Sequence, residues 1–143
     1  MTEAQKAARR LEINSQLAIA RHNRDTNISE RTRLIDSIQR MRRASGQLGS
    51  SINDLSSNVQ RNLSIVVQRI AKREFNGTRR QELQAYMTEC ATSVGEQVNR
   101  HNNNMETLTA RITTVERKRD QLTHAINALN TSISQLEAEL SSL

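Results

Sequence analysis

The 143-residue chain has no proline, no tryptophan, one cysteine, four glycines and two aromatic residues, Phe75 and Tyr86. Each scarcity removes a class of structure. Compact enzyme domains draw much of their buried area from aromatic side chains, so two of them leave little on which to build a thick core. Sheets of this length carry turn punctuation every few residues, and isolated glycines at 46, 49, 77 and 95 do not supply it. Cys90 alone cannot close an internal disulfide. No apolar run is long enough to cross a membrane, and Met1 to Lys6 lacks the apolar core of a signal peptide. These absences predict an all-α protein made in the cytoplasm which, if exported, leaves without a cleaved signal.

What is present is periodicity. From Leu83, Met87 and Cys90 through Met105, Ile112 and Val115 to Ile133, Leu136, Leu140 and Leu143, apolar residues recur at alternating steps of three and four. That is the heptad seam of a coiled coil. The alternation slips once, where Cys90, Val94 and Val98 come at two successive fours, a stutter in the repeat. Reflecting this seam about the Asn76–Gly77 bond pairs residue i with 153 − i, and eleven of the eighteen resulting pairs are apolar on both sides. The first half has its own pair of fours, Leu55 to Val59 to Leu63, and the reflection sets Val59 opposite Val94. Two helices that lose phase at the same height are expected to lie along each other.

The sequence therefore predicts one domain, a long antiparallel helical hairpin. Its arms are residues 3–75 and 78–143, with the turn at 76–78. Asn76-Gly77 ends the first arm, because glycine takes the left-handed conformation without a Cβ penalty. Thr78 with Gln81 reads as a capping box that starts the second. Two interruptions stay open in the first arm. Residues 22–28 contain the polar run Arg21 to Asn27 and lead into Asn27-Ile28-Ser29-Glu30, a second candidate capping box; a break there would leave a separate leading helix of about residues 3–22. Residues 45–50 contain Gly46 and Gly49 and are a possible break, yet Met41, Leu48, Ile52 and Leu55 keep phase across them, so a continuous or kinked helix is expected.

Charge divides the chain. Residues 1–80 hold 16 basic and 7 acidic groups, and residues 81–143 hold 5 and 8. Arms of opposite sign attract across their flanks, which is the expected meaning of the split. The other meaning is a nucleic-acid surface, whose candidates are Arg31, Arg33, Arg40, Arg42 and Arg43.

Catalytic chemistry is not expected. His22, His101 and His124 lie far from one another and from Cys90 in sequence, so neither metal-ligand spacing nor an activated nucleophile is present. Gly46-Gln47-Leu48-Gly49 lacks the Lys-Ser/Thr ending of a phosphate loop. No cofactor and no metal is implied, and the chain reads as a binding protein. Leu122, Ile126 and Leu129 are seam residues whose reflections are Arg31, Asn27 and Arg24. The mirror leaves them as an apolar stripe rimmed by Arg24 and Arg31, the expected docking site for a partner helix or a second copy. The alternative is that Ile28 and Ile35 rotate in to cover it.

Phe75-Asn76-Gly77 with Leu83 beyond it resembles the W-x-G turn of the helical-hairpin proteins of type VII secretion, with Phe at the Trp position. In that turn an aromatic precedes glycine by two, and a bulky apolar residue lies eight beyond the aromatic. In length the chain is similar to the helical accessory proteins that bind LxG-domain toxins in the same systems. The resemblance implies a non-catalytic targeting partner that pairs with a toxin's N-terminal helical domain, with or without a second small helical protein. A basic antiparallel coiled coil of this size also resembles a stalk or escort of a type III or flagellar export ATPase.

Overall fold

The computed structural model describes residues 1–71 and 77–143, and the chain is an all-α antiparallel helical hairpin with no strand among them. Helix α1 runs Glu3–Asp54, a π-helical segment covers Leu55–Gln60, α2 covers Arg61–Ala71, and α3 covers Thr78–Ser142. Two compact units result: residues 1–39 with 113–143, and residues 40–112.

α1 opens on a capping box, in which the Thr2 amide donates to Gln5 Oε1 at 2.8 Å and the Gln5 amide donates to Thr2 Oγ1 at 3.3 Å. The helix then passes through residues 22–28 without a break, so there is no separate leading helix. Asn27-Ile28-Ser29-Glu30 starts nothing because its surroundings are already helical. Thr26 and Thr32 turn their hydroxyls back onto the carbonyls of His22 and Ile28, at 3.0 and 2.9 Å, rather than capping a new end. Arg24, Asn27 and Ile28 are half-buried, and packing of that face outweighs weak local propensity. The helix also continues through residues 45–50, as expected. A Cβ on Gly49 would stand 3.8 Å from Met105 Cε, and Ser45 Oγ lies 3.8 Å from Met105 Sδ, so small residues bring α1 close to α3 here.

In the first unit, Ile13 and Leu17 of α1 meet Ile133 of α3, flanked by Ala20, Leu136, Leu140 and Leu143. All but Leu143, whose reflection is Arg10, are residues the mirror pairs with one another. Each fully buried aliphatic side chain contributes about 1.5–3 kcal/mol, and the core is a thin line of them. Ion pairs bind its edges: Arg9 Nε to Glu139 at 2.7 Å, Arg21 to Glu137 at 2.6 Å and Lys118 to Glu30 at 2.7 Å, while Arg10 donates to the Leu143 carbonyl at 2.6 Å. Two of the three ion pairs set a basic first arm against an acidic second. Arg9 holds the Glu139 carboxyl below its usual range by hydrogen bonding to it, and the same hydrogen bond raises the guanidinium's own pKa.

In the second unit, the predicted α3 seam is inward at every position except Leu83. The facing strip of the first arm differs from expectation. Ser56, Gln60, Leu63, Val67 and Ile70 turn inward, while Val59 and Val66 are exposed. The cause is the π segment, whose wider turn takes up an extra residue and rotates α2 relative to α1. Gln60 thus stands where the mirror placed Val59, within 3.8 Å of a Cβ built on Gly95.

At the turn, Phe75 and Asn76 lie outside the described residues. Gly77 has φ of +86°, the left-handed conformation expected of it. Its carbonyl accepts the Arg80 and Gln81 amides at 3.2 and 3.4 Å, so Gly77 takes the N-cap position predicted for Thr78. Arg80 reaches across to the end of α2, donating to the carbonyls of Ile70 at 3.1 Å and Ala71 at 2.6 Å. A cation on the last described carbonyls of a helix is favourable both as a hydrogen bond and against the helix dipole.

Candidate docking face beside the turn

A helix turns about 100° per residue, so residues just off an inward strip are dealt to one flank or the other. On one flank of the second unit, Gln60, Ser64, Val67 and Gln68 share a shallow cleft with Thr88, Ala91 and Thr92 of α3. That flank is mostly polar. Moving the opposite way from Leu63 and Ile70 leads to Val66 and, two turns earlier, Val59; moving the opposite way from Met87 leads to Tyr86 and Leu83. These four are exposed, with Tyr86 64 % accessible. Because the helices are antiparallel, residues displaced in the same sense lie on the same side, as the polar cleft demonstrates. Val59, Val66, Leu83 and Tyr86 therefore form an apolar face across two helices, beside the turn that Arg80 clamps.

The repeat assigns Leu83 to the seam as well as to the turn motif, and the structure gives it to this face instead. Val59 and Val66 are hidden from sequence reasoning because regular spacing assigns them inward; the successive fours at Leu55, Val59 and Leu63 are the one signal of trouble there. Tyr86 is legible, since it lies between the seam residues Leu83 and Met87.

The stripe expected at Leu122, Ile126 and Leu129 is not open. Ile126 is 4 % accessible and its two neighbours are half-buried, as are Arg24 and Arg31, so these residues belong to the interior of the first unit. Ile28 is half-buried too, while Ile35 stays exposed, which is part of the covering rotation. The arginines reach this seam because their stems pack while their heads turn out: Arg24 pairs with Asp25 at 2.8 Å, as Arg119 does with Asp120 at 2.8 Å.

Among the described residues no cluster of His, Cys, Asp and Glu could hold a metal ion, and no helix is long and apolar enough to cross a membrane. Cys90 is a half-buried free thiol. No protein-family model matches the chain, and no curated protein matches it.

Proposed function

We propose that the chain is a non-catalytic helical adaptor that binds a helical segment of another protein on the face formed by Val59, Val66, Leu83 and Tyr86. The observation that carries this reading is the exposed Tyr86 among three exposed aliphatic residues, in a chain with two aromatics in all. Tyrosine supplies large contact area at low entropic cost and is enriched at binding hot spots. A two-helix apolar face suits the apolar stripe of a third helix. The partner implied by the turn's resemblance is the N-terminal helical domain of an LxG-type toxin, with which the adaptor would present a joint export signal.

The test is co-expression of the full chain with such a domain and measurement of the affinity. The triple variant Val66→Ser, Leu83→Ser, Tyr86→Ser is expected to bind at least 30-fold more weakly, roughly 2 kcal/mol, with unchanged helical circular dichroism. The double variant Ser64→Arg, Thr92→Arg on the polar flank is expected to bind as wild type. Equal affinity of the triple variant and wild type overturns the reading.

A further inference from the structure

In the second unit the outer edges of the two arms carry opposite charge. Ile65 lies two residues from each of the inward residues Leu63 and Val67, about 200° around the helix, so it points directly away from α3. It is 40 % accessible, and Arg61 and Arg69 stand one turn before and one turn after it, both exposed. On α3, Glu89 lies in the same way two residues from Met87 and Ala91, and Glu96 two from Val94 and Val98, so both point directly away from α2. Both are exposed, and between them Thr92 and Ser93 floor a shallow hollow that the two glutamates wall. Four residues spaced i, i+3, i+4 and i+7 are the set that forms the hole for a knob in a coiled coil. Neither arginine and neither glutamate has an ion-pair partner among the described residues of its own chain.

We infer that a second copy of this chain docks head to tail along these edges, with Ile65 of one copy seated between Glu89 and Glu96 of the next, Arg61 on Glu96 and Arg69 on Glu89. Charge and spacing select the occupant. Arg61 and Arg69 are about 12 Å apart along α2 and Glu89 and Glu96 about 10 Å apart along α3, so both ion pairs form together with the isoleucine midway. A third pair sets the direction. Asp54 and Arg100 are exposed and lie two residues beyond the inward Ile52 and Val98, which puts them on the same two edges. With the docked helices antiparallel, Asp54 comes within one turn of Arg100; parallel helices would set it beside Glu82, like against like. The two edges face opposite ways, so each contact leaves one edge of each copy open, and repetition lengthens a row instead of closing a pair. The contact is about 20 Å long on a helix about 10 Å wide, smaller than the roughly 800 Å² per partner of a standard interface, so the association is transient and sensitive to salt. None of these residues belongs to the adaptor face, so either contact stands or falls without the other.

Sedimentation velocity of the full chain between about 10 and 300 µM in about 50 mM salt is expected to show a mean sedimentation coefficient that rises with concentration, and about 0.5 M salt to abolish the rise. The variant Arg61→Glu, Arg69→Glu and the variant Glu89→Arg, Glu96→Arg should each stay monomeric with unchanged helical circular dichroism, since exposed positions tolerate the exchange. An equimolar mixture of the two should associate as wild type does, because each supplies the edge the other has reversed. Register is read by oxidation in a Cys90→Ser background. Ile65→Cys with Ser93→Cys in one chain should give a ladder of dimers, trimers and larger species, whereas Ile65→Cys alone should give no linked product. A wild-type monomer at every concentration in low salt overturns the proposal, as do charge-reversed variants that associate alone or stay monomeric when mixed. A ladder that stops at the dimer, or Ile65→Cys linking by itself, overturns the head-to-tail arrangement.

Discussion

Side chains two positions apart in α1 have opposite fates, and the difference is purely one of direction. Ile13 is fully buried in the core it shares with Leu17 and Ile133, while Leu11 projects outward from the same turn of helix. Ile13→Ala should cost about 2–5 kcal/mol, from lost transfer energy and the cavity left behind. Leu11→Ala in dilute solution should change stability by less than about 0.5 kcal/mol. Urea unfolding of the two variants at low concentration checks the pair, and comparable losses would contradict the observed orientation of α1. Residue-level placement of this kind is largely legible in sequence, because steps of three and four in a helix dictate a direction. What spacing does not supply is Arg80. Its hold on the Ile70 and Ala71 carbonyls depends on where two helix ends meet, and no local pattern of residue types encodes that.

Among the elements, the π segment is where periodicity and structure part. The heptad pattern puts Val59 and Val66 inward; the wide turn replaces them with Gln60 and Val67. Spacing locates the irregularity but not its resolution, because two successive fours can be absorbed either by relaxing the supercoil or by widening one turn. α3 takes the first course at Cys90, Val94 and Val98 and stays helical throughout. The first arm takes the second. Exchanging polarity distinguishes the two orientations. Val59→Gln is expected to leave thermal stability within about 0.5 kcal/mol, as for an exposed site, and Gln60→Leu to raise it by roughly 1 kcal/mol through burial near Gly95. A loss of about 2 kcal/mol on Val59→Gln would place that valine in the seam. The polar run at 22–28 is the complementary case. Weak helix formers and a plausible capping box suggest an end, but α1 keeps its phase because the flanking turns are packed on both sides.

For the molecule as a whole, the charge division of the sequence becomes contacts between its arms. Glu139, paired with Arg9, has its pKa lowered from 4.5, so it favours the folded state above that value and ceases to as pH falls through its folded-state pKa. Wild type and Glu139→Gln should therefore differ slightly in melting temperature at pH 7 and converge as pH falls through the folded-state pKa of Glu139; the gap is small because both side chains are more than a third exposed and screened by solvent. A gap that widens in acid would reverse the assigned sign. Fold class and hairpin pairing are legible in the sequence because a repeat sustained over many turns has few ways to be satisfied. The candidate docking face is not, since Val59 and Val66 are exposed only through the wide turn.

That wide turn makes the proposed docking face conditional. Val59 and Val66 are outward only while the segment from Leu55 to Gln60 holds its extra residue, and a turn of ordinary width would rotate them back toward α3. Binding on that face and the state of the π segment are therefore linked equilibria. A partner that needs both valines stabilises the wide turn by as much as it discriminates between the two orientations. Conversely, a substitution such as Gln60→Lys, which makes the inward place costly to its present occupant, weakens the partner by that same free energy without touching it.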